Sequence, residues 1–447
     1  MAINNVKGTH DIIGEEANAY SAVENLMSTI AHMYAYQEVR PPVLEHSELF
    51  IRGVGESSDV VRKEMYTFLD KGDRSLTLRP EFTAGIMRLV VQNKLYATSE
   101  LPIKLYYCGP VFRYDRPQLG RYRQFNQFGL ESIGNDSPYN DVEVIALAYS
   151  ILQSLKLEDV TIKINTIGDE ESRNNYRLAL KDYFAPHIDN MCEDCKNRYE
   201  LNPLRILDCK VPEDKPVIEG APKVSHYLST NSKNRFAKVL EALKELDIPY
   251  EVDETLVRGL DYYSETVFEF HYRSKKGFDY GALGGGGHYG KLMKEVGGPD
   301  LPGIGLSFGI ERMVSVLKDD DLLPNMKSEL DAYVMPLDEE VMDYAEKVAI
   351  ELRSSGYSTD ICFDHCKIGQ MFKRATNKNA KYAVIIGSTE KEQNIVLLKD
   401  LASQDQIPVA FDYLVDKFDD MFNEKECCCQ KEEGQEGQCC CKQNKEE

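Results

Sequence analysis

The stretch Gly109–Glu131, GPVFRYDRPQLGRYRQFNQFGLE, decides how the chain is read. Two strand-like runs flank Asp115–Arg116–Pro117–Gln118–Leu119–Gly120, whose proline and glycine suit a turn between antiparallel strands. Four arginines, Arg113, Arg116, Arg121 and Arg123, crowd into this hairpin within a chain of net charge −21. The guanidinium fork matches carboxylate and phosphate oxygens, so a local basic island predicts an anion site. Beyond the turn, strand alternation puts Arg123, Gln127 and Glu131 on one face. A cation, an amide and a carboxylate together describe a recognition surface. On charge alone, an arginine-laced surface hairpin stands nearly level with that reading.

At 447 residues the chain is too long for one ordinary core, and two or three domains are expected. Hydrophobic content of 42% beside 28% charged residues fits a folded, soluble protein and not a disordered one. The acidic balance argues against nonspecific DNA coating, which needs a broadly basic face, while leaving room for RNA at local patches. The opening MAINNVKGTH lacks a basic-then-apolar leader, and no apolar run approaches ~20 residues, so no membrane partner is expected. Six of the 12 cysteines fall in Cys427–Cys429 and Cys439–Cys441. Adjacent triplets are not a spaced disulfide framework, which predicts a reducing, cytoplasmic setting.

Upstream, residues 14–34 carry Ala17, Tyr20, Val23, Met27 and Ile30 at helical spacing. Arg40–Pro41–Pro42 then interrupts a strand, which places that segment at an edge or an interface. Residues 65–78 alternate across Asp70–Arg74 as a second hairpin. The chain continues through Leu78–Arg79–Pro80–Glu81–Phe82–Thr83 into a short helix, so Glu81 and Thr83 sit where binding residues and helix caps both occur. A helix over 142–155 and a strand over 160–164 follow.

Between about residues 168 and 250 the strand rhythm gives way to charged, helical segments, which reads as an inserted domain. Cys192, Cys195 and Cys209 lie inside it, with His187 the candidate fourth metal ligand at an unusual spacing. Plain reduced cysteines are the favoured reading, and no metal is assigned. Strand rhythm returns at LVRGLDYYSETVFEF (256–270), where Arg258 and the pair Tyr262–Tyr263 offer a cation and an aromatic wall. Four consecutive glycines, Gly284–Gly287, permit close backbone approach. GIGLSFG (303–309) then leads into a helix bearing Glu311 and Arg312. Bulged strands without βαβ units predict an α+β fold, an antiparallel sheet flanked by helices. After a polar linker, residues 329–420 alternate as a small α/β domain with Lys367, Lys373, Arg374, Lys378 and Lys381 at its middle. Such a surface faces a polynucleotide or is simply a solvated helix face. Residues 424–447 are acidic, cysteine-rich and low in complexity, the pattern of a disordered tail.

These stretches resemble the histidyl-tRNA synthetases, a class II aminoacyl-tRNA synthetase family, over about residues 3–420. Lys7–Ile12 resembles the amino-terminal signature, RPPVLEHSELF motif 1, FRYDRPQLGRYRQFNQFGLE motif 2 and GIGLSFGIERMV motif 3. LVRGLDYYSETVFEF and the glycine stretch resemble the histidine-specific signatures. The resemblance implies a class II catalytic core in two parts, 1–167 and 251–325, a helical insertion over 168–250, and an anticodon-binding domain over 329–420. It implies a homodimer acting on ATP with Mg2+, L-histidine and tRNA(His), forming histidyl-adenylate and then histidyl-tRNA with release of AMP and diphosphate. Arg113 and Arg258 are the implied catalytic pair. Glu81, Thr83, Arg113, Gln127, Glu131, Arg258, Tyr262 and Tyr263 are the implied histidine site, and Arg113, Arg121 and Arg312 the implied ATP site. His288 and Gly290 replace the arginine and aspartate usual after the family's glycines, which bears on the fine structure of the histidine or adenine pocket. The regulatory subunit of ATP phosphoribosyltransferase, a non-catalytic paralogue, is the main alternative, and another class II ligase the next.

Overall fold

The computed structural model describes residues 3–55, 58–116, 120–323, 329–364 and 366–426. The chain divides into two compact units, Met1–Asn325 and Met326–Glu447. In the first, the strands are β1 (Gln37–Glu38), β2 (Leu44–His46), β3 (Tyr66–Leu69), β4 (Ser75–Leu78), β5 (Ile103–Phe112), β6 (Gln124–Ile133), β7 (Thr161–Thr166), β8 (Glu251–Val252), β9 (Thr266–Arg273), β10 (Asp279–Tyr289) and β11 (Gly303–Gly309). Eight of them form one sheet in the order β1-β5-β6-β11-β10-β9-β7-β8. Its inner pairings are antiparallel, and only the two-residue edge strands β1 and β8 join in parallel. The expected hairpin is the pair β5–β6, with Gly109 opposite Gln127 and Leu105 opposite Glu131. Its turn residues Pro117–Leu119 lie outside the described residues.

Proline explains the break between β1 and β2. Pro41 and Pro42 lack the N–H a continuing ladder needs, so the chain leaves the large sheet. It enters a small antiparallel sheet of order β2-β4-β3. Arg79, at the end of β4, ties the two together. Its Nε donates to the Pro110 carbonyl at 2.8 Å and Nη1 to the Pro41 carbonyl at 2.7 Å, over the ring of Phe82.

Helix Glu15–Met33 buries Tyr20, Val23, Met27 and Ile30 as its spacing predicts, with Ala19 and Ala31 completing the stripe and Ala17 half-buried. It packs with helices Pro138–Ser154 and Ile310–Asp319. Helix Thr83–Gln92 joins a separate core with Leu105, Tyr107, Tyr262 and Tyr289.

From Glu170 to Glu245 the regular elements are α- and 3-10 helices, around their own core of Tyr176, Leu180, Phe184, Cys195 and Ile206. A buried ion pair fastens this segment to the sheet. Arg235, on helix Thr230–Glu245, reaches Asp141 on helix Pro138–Ser154 with N···O distances of 3.0 and 2.9 Å. Thr266 of β9 donates to the same carboxylate at 2.8 Å, and His288 of β10 lies 3.3 Å from it.

The second unit holds β12 (Leu330–Pro336), β13 (Thr359–Ile361), β14 (Ala380–Ile386), β15 (Ile395–Asp400) and β16 (Gln406–Ala410), in the order β13-β12-β14-β15-β16. The first three are mutually parallel and β15 and β16 antiparallel. Strand β16 and the final helix Leu414–Glu426 were not anticipated; Leu414 and Phe418 seal that helix into the core. The helix also takes in residues 424–426, assigned above to the tail, whose remainder with the cysteine triplets lies outside the described residues. Three of the five basic side chains singled out there are ion-paired: Arg374 with Asp364, Lys378 with Asp360 and Lys381 with Asp331. Among the described residues no helix is long and apolar enough to cross a membrane.

Candidate functional site

One cleft of about 1340 Å³ opens on the face of the large sheet that carries Gln127 and Glu131. Its wall gathers residues that are far apart in sequence: Glu81 and Thr83 from the β4–helix junction, Arg113 and Arg121 from the hairpin, Arg258, Tyr262 and Tyr263 ahead of β9, and Arg312 after β11. Every residue assigned to the site from sequence therefore lines a single cavity.

At its closed end stands Glu131, 1% exposed. Three hydroxyls surround its carboxyl group: Thr83 Oγ1 at 2.7 Å, Tyr107 Oη at 3.3 Å and Tyr289 Oη at 2.7 Å. Burial pushes its pKa up to about 8 against the hydroxyl donors, which pull the other way. Glu81 is also buried, and its two oxygens accept from the Thr83 and Ala84 amides at 2.7 and 2.9 Å. It thus caps helix Thr83–Gln92 while facing the cleft, so capping and binding are not alternatives here. Burial raises its pKa as well, with Arg113 among the groups opposing the rise. Tyr262 and Tyr263 touch with ring centroids 4.6 Å apart and planes tilted by 50°, and Tyr262 meets Tyr289 edge-on.

The cations line the rest of the cleft. Arg113 Nε donates to the Pro80 carbonyl at 2.8 Å, and its guanidinium forms no ion pair among the described residues. Arg258 is paired with Glu269, which also accepts from His271 at 2.9 Å. Burial pulls the Arg258 pKa down, but the phenol of Tyr263 and the carboxylate of Glu269 more than offset it. Arg312 is anchored by the Ala282 carbonyl. Burial and then the charge of Arg121 hold its pKa below the ordinary value. Two mutually repelling guanidinium groups in a half-buried cleft make a strong anion site.

Glycines shape the floor. A Cβ on Gly285 would stand 3.0 Å from Arg258 Nη1, and one on Gly305 would overlap the Glu131 carboxylate. Close packing of side chains against bare backbone is what the glycine run provides.

Two expectations are corrected. Arg123 precedes the first residue of β6 and leaves the cleft, stacking 3.8 Å over Tyr114. His288 does not enter the pocket either. Alternation along β10 sends Tyr289 to the cleft and His288 to the opposite face, where it contacts Asp141 and Arg235. Gly290 lies past the strand, where a Cβ would stand 3.5 Å from Ser264 Oγ. Tyr107, Tyr289 and Glu269 are cleft residues that the sequence reading missed. A carboxylate inside the apolar run Val267–Phe270 was the available signal for Glu269.

A histidyl-tRNA synthetase family model matches residues 8–313, and an anticodon binding domain model matches residues 331–421. The chain is 44% identical to the histidine–tRNA ligase of Bacillus cytotoxicus over 412 residues, 92% of this chain and 97% of that one. It is 44% identical to the histidine–tRNA ligase of Bacillus subtilis (strain 168) over 415 residues, covering 93% and 98%. The crystal structure of apo S. aureus histidyl-tRNA synthetase superposes with a TM-score of 0.80 at 36% identity, covering 93% of this chain and all of that one.

Proposed function

The chain belongs to the histidyl-tRNA synthetase family, and from that premise we propose how its residues divide the work of a histidine–tRNA ligase. The overall reaction joins L-histidine to tRNA(His) at the expense of ATP, through histidyl-adenylate.

The imidazole of histidine enters the cleft against Glu131, along the wall that Tyr262 and Tyr263 form. Glu81, Thr83 and Gln127 take the amino group and orient the amino acid. The substrate carboxylate then lies between Arg113 and Arg258, beside the α-phosphate of ATP. One carboxylate oxygen attacks the α-phosphorus, and diphosphate leaves from the opposite side. Negative charge gathers on the α-phosphoryl oxygens as the bond forms, and Arg113 and Arg258 are placed to neutralise it. No nucleophilic side chain is required. Arg121 and Arg312 hold the far end of the triphosphate, which accounts for two cations kept together against their own repulsion. In the second step a hydroxyl of the tRNA's terminal ribose attacks the acyl carbonyl, and AMP departs.

ATP enters as its Mg2+ complex, and the cleft carboxylates Glu64 and Glu311 are hard oxygen ligands of the kind this ion takes. The second unit binds the anticodon arm of tRNA(His). A homodimer is supported by the small sheet, whose one face carries Leu44, Tyr66, Phe68, Leu76 and Leu78, with Leu44 and Phe68 exposed. Six free cysteines among the described residues support a reducing, cytoplasmic setting.

The carrying observation is the cluster of Thr83, Tyr107 and Tyr289 around buried Glu131, in the same cleft as Arg113, Arg121, Arg258 and Arg312. Histidine-dependent exchange of labelled diphosphate into ATP by the purified protein tests the proposal. Absence of exchange sinks it in favour of a regulatory paralogue, and exchange with another amino acid reassigns the pocket.

A further inference from the structure

The insertion brings together four potential metal ligands: Cys192, Cys195, Cys209 and Asp214. One ligand atom from each lies within 4.8 Å of all the others. Cys192 is the residue before helix Glu193–Leu201 and Cys195 is in its first turn. Cys209 follows the 3-10 turn Pro203–Asp208, and Asp214 ends the next one, Pro212–Asp214. His187, the fourth ligand entertained from sequence, is not in the group; its ring packs on Tyr183.

We propose that these four side chains form a structural zinc site, with three thiolates and one carboxylate as ligands, that fixes one wall of the cleft. A tetrahedral ion with bonds of about 2.3 Å to sulfur and 2.0 Å to oxygen sets S···S edges of about 3.8 Å and S···O edges of about 3.5 Å. Cys192 Sγ and Cys209 Sγ are 3.7 Å apart, and Cys209 Sγ is 3.3 Å from Asp214 Oδ2. The ligand set also answers an electrostatic problem. Asp214 is 2% exposed; its oxygens accept from the Cys192 amide and the Cys209 thiol, and no cation forms an ion pair with it among the described residues. A buried carboxylate facing three thiols lacks the positive charge that a divalent ion supplies, and each thiol would release its proton to solvent on binding. Soft sulfur ligands favour zinc over magnesium or calcium.

The consequence for the cleft runs through one short helix. Arg198, one turn after Cys195, donates to Asp59 at 3.0 Å, and Arg205 donates to the same oxygen at 2.9 Å. Lys63 pairs with Asp194 at 2.6 Å. Asp59 precedes the segment Val60–Glu64 and Lys63 lies within it, and Asp59, Glu64, Arg198 and Arg205 all line the cleft. The ion would therefore brace the wall that Glu64 occupies. The site stands whether or not the cleft activates histidine.

The test uses full-length protein in which the six tail cysteines and Cys108, Cys362 and Cys366 are replaced by serine, so that only these three thiols report. Elemental analysis after dialysis against metal-free buffer should find about one zinc per chain. Adding Cys209→Ser should remove at least nine-tenths of it. Because that variant has its own risk of misfolding, Asp214→Cys supplies a gain-of-binding arm. It should keep the zinc against a chelator that strips the parent, and its cobalt-substituted form should show a stronger thiolate-to-cobalt charge-transfer band. The proposal is overturned by a three-thiol protein that carries no zinc and gives no thiolate–cobalt band. It is equally overturned by a chain mass two hydrogens low together with a peptide map that places the bridge between Cys192 and Cys209.

Discussion

Gly305 of β11 stands opposite Glu131 of β6 in the sheet register, with no room for a Cβ beside the carboxylate. The bare backbone of one strand thus forms the seat for the key acid of its neighbour. Gly305→Ala is expected to push Glu131 off its three hydroxyl partners. The cost to folding is about 1–3 kcal/mol, since the added methyl also meets the Leu130 carbonyl at 2.8 Å. Diphosphate exchange should fall by ~100-fold, mostly through the KM for histidine, because displacement of a positioning group by about 1 Å has that effect. Separate KM values for histidine and ATP check it; equal loss in both would point to collapse of the whole floor.

Glu131 also predicts a pH signature. Folding raises its pKa from the ordinary carboxyl value to about 8, so the folded state holds a proton that the unfolded chain has lost. The stability contribution is full below an unfolded pKa of about 4.3 and declines as pH rises through about 8. Glu131→Gln removes that decline. Its melting temperature, relative to the parent, should climb between about pH 5 and pH 9, while histidine activation falls ~10-fold or more. Thermal melts across that range decide; a constant difference would mean the carboxyl is not the titrating group.

How much of this was legible depends on the distance over which each signal acts. The β5–β6 hairpin was readable because alternation and turn chemistry are local, and Arg113, Arg121, Gln127 and Glu131 came with it. Arg258 and Arg312 were placed through family resemblance, since nothing in their local pattern says which strands adjoin. Tyr107 and Tyr289 were missed because their contact with Glu131 follows from the registers linking β5, β6, β11 and β10, which no local window contains. Arg123 misled for the opposite reason: alternation was extended one residue beyond the strand, where Tyr114 captures the side chain. Asp214 carried no signal at all, being one carboxylate among 74 with no motif spacing to mark it.

Arg258 shares its charge with Glu269, so its removal has two separable effects. Arg258→Ala should abolish adenylation while leaving the dimer intact, and should lower stability by about 2 kcal/mol because Glu269 loses its partner in a half-buried site. Combining it with Glu269→Gln should restore much of the stability and none of the activity. Loss of the dimer on gel filtration, or recovery of exchange in the double variant, would make Arg258 a structural residue instead.

Burial first, and then the neighbouring charge of Arg121, disfavour the charged form of Arg312 and hold its pKa below the ordinary value. Arg312→Gln should therefore leave the ligand-free protein as stable as the parent or slightly more so. The KM for ATP should rise ~10–100-fold, the range for one charge-assisted contact. The rise in melting temperature on adding ATP should shrink in step, with the KM for histidine little changed. An unchanged response to ATP would remove Arg312 from the triphosphate site.

His288 lies on the far side of the sheet from the pocket, so replacing it should change stability and not specificity. His288 is 2% exposed and contacts the buried pair Asp141–Arg235. Burial pushes the Asp141 pKa up, but His288 and Arg235 outweigh it and hold the carboxyl below its ordinary value. A depressed folded-state pKa stabilises above the unfolded value and loses that stability as pH falls below about 4. His288→Ala should weaken this hold, cost about 1–3 kcal/mol at neutral pH, and flatten the acid limb of the stability profile. Because Tyr289, not His288, faces Glu131, the KM values for histidine and ATP should stay within about twofold of the parent. Urea melts at two pH values, set beside exchange kinetics, separate the two outcomes: a raised histidine KM with unchanged stability would return His288 to the pocket.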